Sequence, residues 1–128
     1  MPRRPARVLY IEDNLENRML VRRVLAAEGY VILEAEGAER GLQLAREQAP
    51  DLIMIDINMP ILDGLTLTSM MKADPSLGHI PVVALTANVM RGDRERTLAA
   101  GCDGYIQKPI DIDEFPLQVA RYLHQEGV

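Results

Sequence analysis

The stretch DLIMIDINMPILDG, residues 51–64, places four consecutive apolar residues directly before an aspartate, Asp56. A continuous apolar run of this kind is typical of a strand buried on both faces of a parallel sheet, and Pro60 and the Asp63–Gly64 pair are turn residues. An acid at the end of such a strand has two explanations. Asp56 either closes a turn, which is the commoner role of an isolated aspartate, or it is a nucleophile or metal ligand at the sheet edge.

Similar short runs, rich in β-branched residues, recur on both sides of this strand, with helix-length stretches between them. The five runs are residues 7–11, 30–35, 52–56, 81–86 and 104–107. Strands that alternate with helices predict an α/β fold with right-handed crossovers and a parallel sheet covered on both faces. Either doubly wound strand order is compatible with this pattern. Five strands and five helices in a short chain favour the flavodoxin-like order 2-1-3-4-5.

Length and charge exclude several classes of protein. The chain has 128 residues, a net charge of −5 and one cysteine, Cys102. A length near the commonest domain size predicts one domain, and the acidic balance argues against non-specific binding to DNA or an anionic membrane. No run approaches the roughly 20 apolar residues of a membrane span. We therefore expect a single cytoplasmic domain that binds neither DNA nor membrane.

Charged and hydroxyl side chains follow the ends of four predicted strands. Glu12 and Asp13 follow the first strand, Asp56 ends the third, Thr86 ends the fourth and Lys108 follows the fifth. Taken singly, each has an ordinary explanation as a helix-start acid, a turn residue, a packed strand residue or a solvated charge. In open parallel sheets, however, ligands bind beyond the carboxyl ends of the strands, at the switch between strands 1 and 3. The joint pattern therefore indicates a site.

The residue types at this edge suit phosphoryl transfer. Clustered carboxylates repel one another and need compensating cations, and carboxylate oxygens suit Mg²⁺, which keeps several of its waters. A metal ion, the Lys108 ammonium and the Thr86 hydroxyl together supply donors for the oxygens of an incoming phosphoryl group. Asp56 would then be the attacking nucleophile, and the product would be an acyl phosphate.

Four motifs give the chain a close resemblance to a known family. They are YIEDN (10–14), MIDINMPILDG (54–64), VVALTAN (82–88) and GYIQKPI (104–110). Over residues 7–123 the chain resembles the receiver domain of bacterial two-component response regulators. More narrowly, it resembles stand-alone receivers of the DivK type and receivers paired with hybrid kinases. The resemblance implies one receiver domain over 1–128, with its core at about 7–124 and no output domain.

The resemblance also implies a role for each motif residue. Asp56 would be the phosphoacceptor, and Lys108 would contact the phosphoryl oxygens. Thr86 and Tyr105 would be the switch pair. The Mg²⁺ ligands, with Mn²⁺ as a substitute metal, would be Glu12, Asp13, Asp56 and the main-chain carbonyl of Asn58, with Asp13 the more direct ligand of the acid pair. The peptide bond between Lys108 and Pro109 is a candidate for the cis form.

The same resemblance implies partners and a mode of action. The phosphoryl donor would be a sensor histidine kinase or a histidine phosphotransfer protein. A downstream protein would bind the face formed by helix 4, strand 5 and helix 5. The chain would phosphorylate itself from its donor and lose the phosphate by autodephosphorylation, so it would not be a conventional turnover enzyme. The identity of the partners and the lifetime of the phosphate stay open.

Three other functions share part of this residue pattern. A haloacid-dehalogenase-like phosphatase also uses a strand-end aspartate, but it needs a second acid two residues later, where this chain has Asn58, and its further acid pair follows the nucleophile rather than preceding it. A calcium loop beginning at Asp56 would need glutamate at its twelfth position, which is Leu67. A binding module independent of phosphorylation would have no use for the acids, Thr86 and Lys108.

Overall fold

The computed structural model describes residues 5–57, 64–87 and 94–123, apart from the side chain of Arg94. Strands and helices alternate along the chain. The strands are β1 (Arg7–Ile11), β2 (Val31–Ala35), β3 (Leu52–Asp56), β4 (Val82–Thr86) and β5 (Gly104–Gln107). The helices are α1 (Leu15–Ala26), α2 (Ala38–Gln48), α3 (Gly64–Ala73), α4 (Arg94–Ala99) and α5 (Phe115–Leu123).

The five strands form one parallel sheet in the order β2-β1-β3-β4-β5. The predicted fold class and strand order are confirmed. Ile11 of β1 pairs with Ile55 of β3, and Asp56 pairs with Leu85 of β4. This register brings the carboxyl ends of β1, β3 and β4 to one edge of the sheet.

The core lies on both faces of the sheet, which explains the continuous apolar runs. Successive side chains of a strand point to opposite faces. Leu9 and Ile53 therefore join the cluster under α2 and α3, whereas Val8 and Met54 join the cluster under α1 and α5. All five residues of β3 are buried. A strand of this kind has no solvent-facing side, so alternation of polar and apolar residues is absent from it.

Local signals set the ends of the helices that flank the site. Asn14 caps α1, because its side chain accepts a hydrogen bond of 2.9 Å from the amide of Asn17. Gly29 follows α1 with φ at +89°, a conformation that favours glycine. Within the parts of the chain that the structure describes, no helix is long and apolar enough to cross a bilayer.

Candidate phosphoryl-transfer site

Strand ends bring the predicted site residues to one edge of the sheet. Asp56 is the last residue of β3, and Thr86 is the last residue of β4. Glu12 and Asp13 follow β1 directly. Lys108 follows β5, and its amide donates to the Thr86 carbonyl at 2.8 Å, which continues the ladder between the two strands. Asn58, whose carbonyl was predicted to bind metal, lies outside the described residues.

Three carboxyl groups converge at this edge. Glu12, Asp13 and Asp56 each offer an oxygen, and these oxygens all lie within 4.8 Å of one another. Glu12 is 1% exposed and Asp56 4%, whereas Asp13 is exposed to solvent. A set of carboxylate oxygens with one open side fits a hard divalent cation that keeps part of its water shell.

Lys108 supplies positive charge to the same cluster. Its Nζ lies 3.1 Å from Oδ1 of Asp56 and 3.4 Å from Oε1 of Glu12. The peptide bond that joins Lys108 to Pro109, for which the family resemblance made the cis form a candidate, is cis. The lysine side chain is partly exposed. The Lys108 ammonium therefore lies at one side of the cluster and does not shut the cluster off from solvent.

The crowding of the acids is visible in the pKa of Glu12. Burial, together with the hydrogen bond to Asp56 and its negative charge, raises the pKa of Glu12 to about 7, and Lys108 opposes this shift. Without a bound cation, Glu12 therefore keeps its proton at a pH between 4.5 and about 7, where an isolated glutamate would release it. A divalent ion would favour the ionised form, because it would replace this proton with a stronger positive charge.

Glu12 is held by residues that the sequence interpretation did not single out. The Tyr10 hydroxyl donates to its Oε1 at 3.0 Å, and the Asn17 side-chain amide donates to the same oxygen at 3.1 Å. Arg18 donates to the Glu12 carbonyl at 2.7 Å and also pairs with Glu34 of β2. The sequence offered one signal for the contact between Tyr10 and Glu12: successive side chains of a strand point to opposite faces, so these two residues, two positions apart, lie on the same face.

The predicted switch residues lie on two adjacent strands. Thr86 is buried at the end of β4, and Tyr105 is partly exposed on β5. The Tyr122 hydroxyl donates to the Tyr105 carbonyl at 3.4 Å. Tyr105 and Tyr122 line a surface cavity of about 490 Å³ together with Gln118 and Arg121 of α5. Tyr105 is therefore positioned between the sheet edge and an open surface.

A second cavity lies beside Lys108. Its volume is about 340 Å³, and its walls come from α1 and from the segment after β5. The lining residues are Tyr10, Asn17, Leu20, Ala87, Lys108, Pro109 and Ile110. On the solvent side of α1, Leu15 is 58% exposed and Met19 50%. An apolar surface thus adjoins the acid cluster.

Comparison with known proteins identifies the family. A model of the response regulator receiver domain matches residues 8–120, and the chain belongs to this family, whose members act in two-component signalling. The polar-differentiation response regulator DivK of Brucella anthropi is 43% identical over 119 residues, which are 93% of this chain and 97% of that protein. The predicted resemblance, including its DivK type, is confirmed.

Solved structures agree with the fold. The receiver domain of a Pseudomonas aeruginosa PAO1 sensor histidine kinase, solved with a magnesium ion coordinated in its active site cleft, superposes with a TM-score of 0.85 at 31% identity, over 93% of this chain and 98% of that one. The chemotaxis response regulator CheY4 of Vibrio cholerae gives a TM-score of 0.87 at 24% identity, over 92% of this chain and 98% of that one. This second likeness concerns the fold alone.

Proposed function

We propose that the chain is a phosphorylation-controlled signalling switch that accepts a phosphoryl group on Asp56 from a phosphohistidine. The observation that carries the proposal is the carboxylate of Asp56, which lies within a cluster of three acids and is in contact with Lys108 at 3.1 Å. The same arrangement stands at the carboxyl edge of the sheet, where ligands of this fold class bind.

Glu12, Asp13 and Asp56 would hold Mg²⁺, with Mn²⁺ as a substitute. The fit rests on their oxygens, which lie within 4.8 Å of one another, and on the exposure of Asp13, which leaves room for metal-bound water. The main-chain carbonyl of Asn58 is a further proposed ligand. When bound, the ion would neutralise charge on the transferring phosphoryl group and orient it. The coordination of magnesium by the Pseudomonas receiver supports this assignment.

In the proposed transfer, an Asp56 oxygen attacks phosphorus as the bond from phosphorus to the donor imidazole breaks. The electron pair of that bond leaves with the imidazole nitrogen, and the product is an aspartyl phosphate. Lys108 shifts its contact from the carboxylate to a phosphoryl oxygen, and Thr86 donates its hydroxyl to another. Lys108 is already in contact with Asp56 before the reaction, so its reorganisation costs little, whereas Thr86 moves towards the phosphate.

The donor would be a histidine kinase or a histidine phosphotransfer protein, acting in the cytoplasm. The surface that supports this is the apolar patch on α1, where Leu15 and Met19 are exposed, together with the cavity beside Lys108. Apolar residues next to a charged site suit the docking of a helical partner, because the docked helix would also shield the transfer from water.

Output would pass through the face formed by α4, β5 and α5. Phosphorylation would draw Thr86 towards the phosphate, and Tyr105 would turn into the space released, which biases the face between two states. Leu98 of α4 is 45% exposed and Leu117 of α5 63%, and the cavity beside Tyr105 lies on the same side. A downstream protein that binds only the phosphorylated form would therefore also lose affinity for Thr86→Ala.

The test of the proposal is labelling by a small phosphodonor with Mg²⁺, followed by intact-mass and Phos-tag analysis. We expect the wild type to gain one phosphoryl group and Asp56→Asn to gain none. Asp51→Asn is the matched control, because Asp51 precedes the same strand at its opposite end, where its side chain accepts from the Arg7 amide at 2.8 Å. Equal labelling of Asp56→Asn and the wild type would overturn the proposal.

A turnover assay separates the switch from a phosphatase. A switch transfers one phosphoryl group per protein molecule and then loses it slowly, whereas a phosphatase releases product continuously from a phosphate ester. We expect stoichiometric labelling and no sustained release. Steady hydrolysis of a generic phosphate ester that disappears in Asp56→Asn would favour the enzyme instead.

A further inference from the structure

Tyr10 is a buried polar residue whose hydroxyl reaches the acid cluster. It lies in the middle of β1, its side chain is 0% exposed, and it packs among apolar residues of the cluster under α1 and α5. The hydroxyl donates to Oε1 of Glu12 at 3.0 Å. A buried hydroxyl needs a partner of this kind, because burial without one costs free energy that a phenyl ring would avoid.

The two oxygens of Glu12 have different surroundings. Oε1 accepts from the Tyr10 hydroxyl at 3.0 Å and from the Asn17 side-chain amide at 3.1 Å, and it lies 3.4 Å from Nζ of Lys108. Oε2 accepts from the Asn14 amide at 3.4 Å, a long bond. Among the hydrogen bonds from donors outside the acid cluster, the shorter ones therefore go to Oε1.

We propose that Tyr10 is a positioning residue for the metal site, which with Asn17 holds Oε1 of Glu12 and so fixes this carboxylate against the cation site. The inference rests on the proposed function, since it concerns the same Mg²⁺ site. A glutamate has one more rotatable bond than an aspartate, and so it loses more conformational freedom when it binds a metal. A hydrogen bond from the rigid ring of a buried tyrosine removes part of that freedom in advance.

The first test compares Mg²⁺ affinity in three proteins by calorimetry and by amide shifts in NMR titrations. Tyr10→Phe removes the hydroxyl and keeps the ring. Tyr30→Phe makes the same chemical change at a partly buried tyrosine packed against the same cluster, away from the acids. We expect Tyr10→Phe to bind Mg²⁺ about tenfold more weakly than the wild type, since removal of a group that orients a ligand has this scale of effect. Tyr30→Phe should match the wild type.

The second test measures the phosphorylation rate against Mg²⁺ concentration. For Tyr10→Phe we expect the half-saturating Mg²⁺ concentration to rise by the same factor as the dissociation constant, while the rate at saturating Mg²⁺ stays within about twofold of the wild type. A loss of packing would change the maximal rate or the melting temperature instead, so both are recorded without Mg²⁺ for each variant.

A double-mutant cycle with Glu12→Asp tests the contact itself. The shorter side chain cannot keep its carboxylate at the tyrosine hydroxyl while it binds the cation. We therefore expect Tyr10→Phe to weaken Mg²⁺ binding in the Glu12 background and to have no further effect in the Glu12→Asp background. Equal effects in both backgrounds would overturn the proposal, because the hydroxyl would then act by another route.

The outcomes separate this inference from the proposed function. A wild type that does not bind Mg²⁺ overturns both. A wild type that binds Mg²⁺, with Tyr10→Phe within about twofold of it, overturns only the role of Tyr10. Should Tyr10→Phe fail to fold, Asn17→Ala replaces it, since the α1 cap uses the Asn17 main-chain amide and is kept. Weaker Mg²⁺ binding by Asn17→Ala supports the shared role, and unchanged binding overturns it.

Discussion

Two lysine–aspartate pairs stand at opposite ends of the same sheet and differ in how completely their charges are balanced. At the amino ends of the strands, Lys72 lies 2.8 Å from Asp103, just before β5. The lysine also donates to the Ile80 carbonyl at 2.9 Å, and the aspartate accepts from the Val82 amide at 2.7 Å. One cation meets one anion, and each of the two also has a hydrogen-bond partner in the backbone.

At the carboxyl ends, Lys108 lies 3.1 Å from Asp56, but the aspartate shares its surroundings with the carboxyl groups of Glu12 and Asp13. This pair belongs to a cluster that has more acid than the lysine can neutralise. The contrast indicates that a balanced pair joins elements of the fold, whereas an unbalanced one is poised to bind a cation and a phosphoryl group.

Replacement of the two lysines should have opposite consequences. Lys108→Ala removes a donor from the site of the transferring phosphoryl group, and we expect labelling by a small phosphodonor with Mg²⁺ to slow by about 100-fold or more. Lys72→Ala should leave the labelling rate unchanged and lower the free energy of unfolding by about 1 kcal/mol, because the pair it breaks is partly exposed.

Labelling rates and denaturant unfolding are measured on both lysine variants and the wild type. We expect Lys108→Ala to lose labelling rate and Lys72→Ala to lose stability. If Lys72→Ala slowed labelling as much as Lys108→Ala did, the two pairs would be equivalent in function, and the proposed distinction between balanced and unbalanced charge would be wrong.

The raised pKa of Glu12 predicts that the free energy of unfolding of the metal-free protein decreases as the pH rises. The pKa of Glu12 is about 7 in the folded state, against an ordinary value of 4.5, so the folded protein holds this proton more tightly than the unfolded chain. Stability is therefore lost as the pH rises through this window. Glu12→Gln, which resembles the protonated acid, should be more stable than the wild type above pH 7, by at most about 3 kcal/mol.

Denaturant unfolding in EDTA at about pH 8 and at about pH 4.5 checks this sign. We expect most of the advantage of Glu12→Gln at the higher pH to disappear at the lower one, where the wild-type acid is protonated in the folded state and about half protonated in the unfolded chain. Excess Mg²⁺ should also reduce the difference at the higher pH, since it stabilises the ionised wild type. A difference between the two proteins that stays constant across this range would contradict the assigned cause.

The strands and the residues at their ends could be predicted from the sequence, whereas most side-chain contacts around them could not. Strand positions were predictable to within one residue because the runs at 8–11 and 52–55 are continuously apolar, and the strand order was favoured by five strands and five helices in a short chain. The residues at the strand ends then follow directly. For the contacts of Tyr10 and Asn17 with Glu12, the sequence could show only that Tyr10 and Glu12 share a face, since the contacts themselves depend on side-chain rotamers and on the angle at which α1 leaves the sheet. The pair of Lys72 and Asp103, separated by 31 residues, carries no local signal.

Gly64 offers a test of how closely the fold supports the reactive strand. A Cβ at Gly64 would lie 2.7 Å from Ile57 Cα and 2.8 Å from the Asp56 carbonyl oxygen, so the backbone itself must shift. We expect Gly64→Ala to lower the free energy of unfolding by about 1–3 kcal/mol and to slow labelling as well, because Asp56 moves. At Gly37 a Cβ meets nothing within 4 Å.

Gly37→Ala is therefore the matched control, and its labelling rate should equal that of the wild type. Both glycine variants are compared by denaturant unfolding and by the initial rate of labelling. A Gly64→Ala protein that is destabilised yet labels at the normal rate would show that the Asp56 backbone is not displaced, and that α3 absorbs the strain instead.

The smallest expected effect concerns two buried threonines away from the acids. Thr68 donates its hydroxyl to the Gly64 carbonyl at 2.7 Å, whereas the Thr97 hydroxyl is buried and has no hydrogen-bond partner among the described residues. Valine has nearly the same shape as threonine and no hydroxyl. We expect Thr97→Val to raise the free energy of unfolding by about 0.5–1 kcal/mol, because it removes an unsatisfied polar group.

Thr68→Val should lower the free energy of unfolding by about 1 kcal/mol, since a satisfied hydrogen bond is lost. The opposite signs are the decisive feature, because the two substitutions change the same atoms at two fully buried positions. Thermal and denaturant unfolding of both variants measure them. Two losses of equal size would mean that the Thr97 hydroxyl has a hydrogen-bond partner in solution. Thr97 would then resemble the pair of Lys72 and Asp103, whose polar groups have partners, rather than the crowded acid cluster.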